Sequence, residues 1–210
     1  MVNKSLTSIH KSLNSLINND LLYSNLTIEF DKFYTKKDIM ERCIKYIKTN
    51  IPSRISYSTD LIIEPSAGNG SFMDGIDDLC RTSIFYDIAP DHPHITQMDF
   101  LNFDFERADK TIYSGLWYDH VHIVGCPPFG NAPEYKTANG FIKKSCEFAK
   151  TISFILPKKK TFDFADDYQC VFNIDLPINS FVINKFDDTD QKNYMVDFEI
   201  ETSFQIWVKK

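Results

Sequence analysis

The stretch that decides the fold is LIIEPSAGNGSF, residues 61–72, in which an apolar triplet runs into a turn that holds Gly68 and Gly70. An uninterrupted apolar triplet is typical of a strand that is buried on both faces of a parallel sheet. Glycines let the backbone approach a ligand closely, and a helix after the turn presents free N–H groups to a negative group. This order favours a nucleotide-like ligand at the turn. A plain structural turn is the alternative.

Two acidic residues at strand ends narrow the choice of ligand. Asp87 ends the next apolar strand, a position where a carboxylate typically binds ribose hydroxyls. Glu64 ends the first strand, where a buried acid is costly without a partner, so we expect a cationic or amine-bearing ligand beside it. The glycine fingerprint of NAD enzymes is incomplete and the sequence GxxxxGKS/T is absent, which disfavours NAD and ATP. S-adenosylmethionine, a nucleoside that carries an amine and a sulfonium, fits better.

Predicted strands and helices alternate along the chain. Strands are predicted at 83–88, 122–125 and 151–156, and helices at 39–47 and 137–149. Two β-rich runs, 179–183 and 202–208, suggest an antiparallel hairpin at one edge of the sheet. We therefore predict one α/β domain over residues 31–210, built on a mostly parallel sheet. An apolar stripe near the N-terminus predicts a helical extension over residues 1–30.

The composition excludes several classes of function. The net charge of −6 gives no support to a nonspecific polyanion binder, so any contact with nucleic acid must be local. The five cysteines form no CxxC pair, which argues against a disulfide framework or a structural metal. No apolar run has the length of a membrane span, and the N-terminus does not have the pattern of a signal peptide. We predict an intracellular protein without a metal, in the cytoplasm or a host cytoplasm.

Five motifs follow one another in a recognisable order. They are Phe33-Tyr34-Thr35, EPSAGNGSF from Glu64, Tyr86-Asp87-Ile88, Met98-Asp99-Phe100 and CPPFG from Cys126. The set resembles the class I S-adenosylmethionine-dependent methyltransferases that act on adenine N6. The closing sequence FQIW, residues 204–207, also resembles viral and phage members of this group. The signature of that family is Asn, Asp or Ser, then two prolines, then an aromatic residue. The resemblance covers roughly residues 31–208 and implies a Rossmann-like methyltransferase fold.

The resemblance also implies a set of cofactor-binding residues. It implies that Tyr34 and Thr35 bind the methionyl carboxylate and that Asp87 binds the ribose. The adenine would contact Ile88, Asp99 and Phe100. The amino-acid part of the cofactor would be bound by Glu64, Ser66, Ala67, Gly68 and Gly70. Some of these positions have ordinary alternatives. Phe100 is also a candidate core residue, and Asp99 is also a candidate cap of a turn.

The catalytic motif departs from the family at its first position. In the family, an Asn or Asp side chain and the carbonyl of the first proline accept hydrogen bonds from the adenine amine, and the aromatic residue stacks on the base. Pro127, Pro128 and Phe129 are in place, but Cys126 stands at the acceptor position, and a thiol is a weak acceptor.

Three interpretations of Cys126 stay open. In the first, the enzyme is active, and the Pro127 carbonyl, another polar group or a Cys126 thiolate does the work. In the second, the chain is a silent subunit that binds cofactor or nucleic acid beside an active partner of the same fold. In the third, Cys126 is a plain small residue in a site for another substrate.

The predicted function is S-adenosylmethionine-dependent methylation of adenine N6 in nucleic acid. RNA or single-stranded DNA is favoured over duplex, because little of the chain follows Pro157 to form a target-recognition domain. Lys158, Lys159 and Lys160 are predicted to contact phosphates, with a solvated loop as the alternative. Residues 130–139 are a candidate lid over the base. The other functions considered are the silent subunit and methylation of another amine, such as a protein glutamine or guanine N2.

Overall fold

A computed structural model describes residues 32–111, 115–116, 118–130, 135–158, 161–187 and 192–210. For residues 111, 184–187 and 192–193 only the backbone is described. The predicted helical extension, residues 1–30, lies outside these ranges, as do Lys159, Lys160 and residues 131–134 of the candidate lid.

From Lys37 to Pro157 the helices and strands largely alternate, as the sequence predicts, and four further strands follow Pro157. In chain order they are β1 (Tyr34–Thr35), α1 (Lys37–Asn50), β2 (Leu61–Glu64), α2 (Met73–Asp77), β3 (Thr82–Asp87), β4 (Thr96–Gln97), a short 3₁₀ helix (Phe100–Asn102), α3 (Phe105–Thr111), β5 (Val121–Gly125), α4 (Lys136–Cys146), β6 (Thr151–Pro157), β7 (Tyr168–Asp175), β8 (Phe181–Asp187), β9 (Lys192–Phe198) and β10 (Thr202–Lys209).

A seven-stranded sheet organises the fold, with the strand order β4-β3-β2-β5-β6-β10-β7. The strands from β4 to β6 run parallel, and β10 lies antiparallel between β6 and β7. Leu61, Ile62 and Ile63 are fully buried at the centre, as the apolar triplet predicts. The prediction of a mostly parallel α/β sheet with antiparallel strands near the C-terminus is confirmed.

The antiparallel pairing differs in detail from the predicted hairpin. The run that becomes β10 pairs with β7, whereas the run that begins β8 joins a separate three-stranded sheet of order β1-β8-β9. In that sheet Thr35 pairs with Phe181 and Tyr34 with Val182. The second sheet therefore ties the segment before α1 to the C-terminal third of the chain.

Helix α1 packs closely against α2. Its predicted apolar stripe is buried. Gly75 of α2 faces this stripe, and a Cβ atom built on Gly75 would lie 2.6 Å from both Ile44 Cγ1 and Met40 Sδ. The close approach of the two helices therefore requires a residue without a side chain at this position.

A buried polar network joins the amino ends of β2, β5 and β6. His122 is fully buried, with Nε2 3.0 Å from Asp60 Oδ2 and Nδ1 2.8 Å from Thr151 Oγ1. Burial lowers the pKa of His122, although the hydrogen bond to Asp60 acts in the opposite direction. The neutral imidazole fits both contacts if Nε2–H donates to Asp60 and Nδ1 accepts from Thr151. This network lies at the edge of the sheet opposite the glycine turn, where it supports the fold.

Candidate functional site

The parallel sheet brings three of the predicted segments to one edge. Glu64 ends β2, Asp87 ends β3, and Cys126 directly follows β5. Because these neighbouring strands run in the same direction, their carboxyl ends meet, and open α/β sheets bind ligands there. The glycine turn and the CPPF loop, residues 126–129, therefore border the same region.

The glycine turn is held by Asp87. Gly68 and Gly70 have φ angles of +54° and +86°, in the left-handed region that favours glycine. The Gly68 N–H donates to Asp87 Oδ2 at 2.8 Å, and the Ala89 N–H donates to Asp87 Oδ1 at 2.8 Å. Each carboxylate oxygen keeps a second lone pair, so Asp87 can accept further hydrogen bonds at the position predicted for ribose.

Tyr34 covers the glycine turn through a contact that the sequence analysis missed. A Cβ atom built on Gly68 would lie 3.4 Å from Tyr34 Cε1. The Tyr34 hydroxyl donates to Asp91 Oδ2 at 2.5 Å, and Lys32 Nζ lies 2.8 Å from the same oxygen. The Asp91 N–H in turn donates to the Gly68 carbonyl at 2.9 Å. Asp91 carries no motif signal in the sequence, because its role depends on residues that are distant along the chain.

The contact among Lys32, Tyr34 and Asp91 keeps Asp91 ionised and Tyr34 neutral. Partial burial alone would raise the pKa of Asp91, but the hydrogen bonds from Lys32 and Tyr34 lower it overall. Burial and the neighbouring Asp91 carboxylate raise the pKa of Tyr34. The Asp91 carboxylate therefore accepts from a neutral tyrosine and a lysine ammonium at the same time.

Glu64 is buried without a full set of partners. The residue is 2% exposed, and its Oε2 atom has no hydrogen-bond partner. Burial, with the nearby Asp87 charge, raises the pKa of Glu64 well above its usual value. A Cβ atom built on Gly125 would lie 3.1 Å from Glu64 Cγ and 3.3 Å from Oε1, so the side chain packs against the end of β5. An amine-bearing ligand at this edge would supply the missing partner.

Cys126 is fixed by both neighbouring segments. Ser66 Oγ donates to the Cys126 carbonyl at 3.0 Å, which links the glycine turn to the CPPF loop. Burial and the nearby Glu64 carboxyl raise the pKa of the Cys126 thiol, and a side-chain hydrogen bond with Thr35 opposes them. The residue therefore stays a thiol at neutral pH, which argues against the interpretation that a Cys126 thiolate accepts the hydrogen bond.

Phe129 lies in a cluster of four phenylalanine rings, the phenylalanine cluster. Phe129 is 2% exposed, stacks on Phe33 at a centroid distance of 5.8 Å and meets Phe181 edge-on at 6.0 Å. Phe33 also packs on Phe198 at 4.7 Å. Of the two prolines before Phe129, Pro127 is buried and Pro128 is partly exposed.

The three residues predicted to surround adenine differ in their surroundings. Ile88, which follows Asp87 directly, is 43% exposed. Asp99 Oδ1 accepts from the Leu101 N–H at 3.0 Å, so it caps the 3₁₀ helix. Phe100 is 1% exposed and packs in the core at 5.3 Å from Phe141. Asp99 and Phe100 thus have the placements that their ordinary alternatives describe, and their contact with adenine stays a prediction.

The predicted phosphate contacts can be followed at one lysine. Lys158 lies on the surface at the end of β6, and its Nζ atom is 2.7 Å from Asp175 Oδ2. The Lys158 ammonium therefore forms an ion pair with an acidic residue of β7. Within the described ranges, no three His, Cys, Asp or Glu side chains form a group that could hold a metal ion. None of the helices in those ranges is long and apolar enough to cross a membrane.

Solved methyltransferase structures share this fold. A Pyrococcus horikoshii protein described as a candidate RNA methyltransferase matches with 12% identity and a TM-score of 0.60, over 88% of this chain and 91% of that one. The modification subunit of a candidate type I restriction enzyme from Vibrio vulnificus matches with 12% identity and a TM-score of 0.56, over 96% of this chain and 49% of that one. The 23S rRNA methyltransferase ErmE matches with 13% identity and a TM-score of 0.51, over 85% of this chain and 70% of that one. No protein-family model and no curated protein sequence matches the chain.

Proposed function

We propose that this chain is an S-adenosylmethionine-dependent methyltransferase that acts on adenine N6 in nucleic acid. The observation that carries the proposal is the buried Glu64 carboxyl, whose Oε2 atom has no partner beside the glycine turn. A buried acid is costly unless a ligand completes its interactions, and an amine is the group that would do so. The fold supports the same conclusion, because it is shared with proteins named as methyltransferases.

The residues at this edge fit S-adenosylmethionine. Glu64 would bind the amine of the methionyl part, and the open backbone at Gly68 and Gly70 would allow its close approach. Asp87 would accept from the ribose hydroxyls with its remaining lone pairs, and the exposed Ile88 would cover the adenine. When bound, the cofactor supplies an activated methyl group.

The CPPF loop would activate the acceptor amine by hydrogen bonding. The exocyclic amine of adenine is a poor nucleophile because its lone pair is delocalised into the ring. The Pro127 carbonyl would accept a hydrogen bond from one N–H of the adenine amine. This hydrogen bond would favour tetrahedral geometry at the nitrogen. Ser66 holds the preceding carbonyl, that of Cys126, at 3.0 Å and so fixes the loop. Because the Cys126 thiol is a weak acceptor, we expect a rate about 10²–10³ below that of a chain with Asn at this position.

RNA or single-stranded DNA is the substrate class that we propose. A net charge of −6 offers little general attraction to a duplex backbone, and a single-stranded base needs no extrusion from a helix. Lys158, Lys159 and Lys160 remain candidate phosphate contacts, and Lys158 would exchange the Asp175 carboxylate for a phosphate. An intracellular site of action goes with such a substrate.

A catalytically silent subunit is the second candidate function. The raised pKa of the Cys126 thiol favours it, because the acceptor position then lacks a strong hydrogen-bond acceptor. In that case the chain would bind cofactor or nucleic acid beside an active partner of the same fold.

Two measurements test these proposals. Calorimetry with S-adenosylmethionine tests cofactor binding. If no binding were found at millimolar concentration, the chain would be neither an active methyltransferase nor a silent subunit that binds the cofactor. Transfer of a tritiated methyl group to a single-stranded oligonucleotide with one adenine tests the activity. The same oligonucleotide with purine, which lacks the amine, is the matched substrate control.

Variants of Cys126 separate the two candidates. We expect Cys126→Asn to raise the rate of methyl transfer about 10²–10³-fold, because it restores a strong acceptor. Activity that is found only in Cys126→Asn would favour the silent subunit. A loss of activity in Cys126→Ala would show that the thiol contributes. Cys170→Ser, at an exposed cysteine of β7, is the matched control and is expected to behave as the wild type.

A further inference from the structure

The phenylalanine cluster, Phe33, Phe129, Phe181 and Phe198, has one ring that solvent can reach. Phe129, Phe181 and Phe198 are 2%, 0% and 8% exposed, whereas Phe33 is partly exposed. Phe33 stacks on Phe129 with an interplanar angle of 21°. It is therefore the outermost ring of the cluster on the side of the CPPF loop.

A nucleic-acid base can stack only on an aromatic face that it can reach. Phe129 offers little such surface, because it is only 2% exposed, stacks on Phe33 and meets Phe181 edge-on. Phe33 is the one ring of the four that is partly exposed, and it packs on Phe198 at a centroid distance of 4.7 Å and on Phe181 at 6.3 Å. Among these four rings, Phe33 therefore offers a base more accessible surface than any other.

The neighbours of Phe33 in the chain place this ring beside the proposed reaction site. Tyr34, the next residue, covers Gly68 of the glycine turn. Thr35, one residue further, lies close enough to Cys126 for its side chain to lower the pKa of the thiol. A base that stacks on Phe33 would thus lie next to both the predicted cofactor position and the CPPF loop.

We infer that Phe33, and not Phe129, is the ring on which the target base stacks, with Phe129 acting as its support. This assignment rests on the proposed function, since it concerns the base that would be methylated. It makes Phe33 a binding residue for a single-stranded purine and leaves Phe129 a positioning residue. The motif order alone would assign the opposite roles.

The experiment uses the full chain and a single-stranded oligonucleotide with one 2-aminopurine, a fluorescent adenine analogue whose emission falls when it stacks. We expect Phe33→Leu to weaken binding of this oligonucleotide about tenfold and to abolish the quenching, as is usual when one stacking ring is removed. Phe33→Tyr keeps the ring and is expected to bind as the wild type. Phe148→Leu is the matched control, because Phe148 is also partly exposed and stacks on another ring, that of Phe105.

A second variant protects the test against misfolding. In Phe33→Trp we expect the new indole emission to fall when the unlabelled oligonucleotide binds, since the base then stacks on the indole. Unchanged affinity and quenching in Phe33→Leu would overturn the inference, and so would a wild-type chain that does not quench the probe. Calorimetry with S-adenosylmethionine on the same samples separates this result from the proposed function. Cofactor binding with an unaffected Phe33→Leu variant would overturn the role of Phe33 alone.

Discussion

The Glu64 carboxyl is buried at the end of β2, and its Oε2 atom has no hydrogen-bond partner. An ionised acid in this position destabilises the folded chain, whereas an amine-bearing ligand would be attracted to it. The same residue therefore lowers the free energy of unfolding and, in the proposed function, would provide binding energy for a cation. Such a trade between stability and binding is common at functional sites.

We expect Glu64→Gln to be more stable than the wild type at neutral pH. Folding raises the pKa of Glu64, so the unfolded chain ionises first as the pH rises above about 4.3, and the folded state loses stability from that pH upward. Glutamine does not ionise, so the advantage of the variant should grow with pH, to about 1–3 kcal/mol. Urea denaturation at about pH 4 and pH 7.5 measures this difference. The same variant should lose affinity for S-adenosylmethionine.

Glu41→Gln is the matched control, because Glu41 is an exposed acid on α1. Its free energy of unfolding should follow that of the wild type at both pH values. An equal pH dependence in Glu64→Gln and the wild type would contradict the role given to Glu64.

The positions of residues at the ends of buried strands could be predicted from the sequence. Glu64 and Asp87 could be placed at one edge because each ends a recognisable apolar run of a parallel sheet. The burial of Phe129 could not be predicted, since it depends on contacts with Phe33 and Phe181, which are distant along the chain. The cofactor and catalytic roles of these residues stay predictions.

Among the elements, the contact between α1 and α2 leaves no room for a side chain at Gly75. We expect Gly75→Ala to destabilise the fold by about 1–3 kcal/mol, because its Cβ atom would lie 2.6 Å from Ile44 Cγ1 and overpack the contact. Gly115→Ala is the control, since a Cβ atom built there meets nothing within 4 Å. Thermal denaturation of both variants measures the difference, and equal melting temperatures would show that α1 can move away without cost.

Four strands were not predicted. β1 and β4 have only two residues each, whereas the sequences of the longer β7 and β9 mix polar and apolar residues. β7, with the sequence YQCVFNID, is the edge strand of the main sheet, and most of its side chains are at least partly exposed. β9, with the sequence KNYMVDF, is one of the two outer strands of the second sheet. A strand with one open edge and exposed side chains needs no continuous apolar run. The strands at the centre of the main sheet gave clear signals because both of their faces are buried.

For the molecule as a whole, the buried His122 network predicts a loss of stability in acid. Burial lowers the pKa of His122 on folding, so the unfolded chain binds a proton below about pH 6.5 while the folded chain does not. The free energy of unfolding should therefore fall as the pH decreases through this value. We expect His122→Gln to be less stable than the wild type at pH 7.5, by about 1–3 kcal/mol, and to show a smaller drop toward pH 5.5.

His94→Gln is the control for this prediction, because His94 is exposed. It should keep both the stability and the acid-induced drop of the wild type in urea denaturation. If His122→Gln showed the full wild-type drop, the acid sensitivity would belong to other groups.

Strand β1 is only two residues long, yet Tyr34 within it covers the glycine turn and Phe33 precedes it directly. Because the two rings belong to consecutive residues, a ligand that displaced one of them would also displace the other, and the proposed cofactor and base sites would then be coupled energetically. Thermodynamic linkage requires that each ligand change the affinity for the other by the same factor. Any effect of one ligand on the position of this strand would therefore be matched by an equal effect of the other.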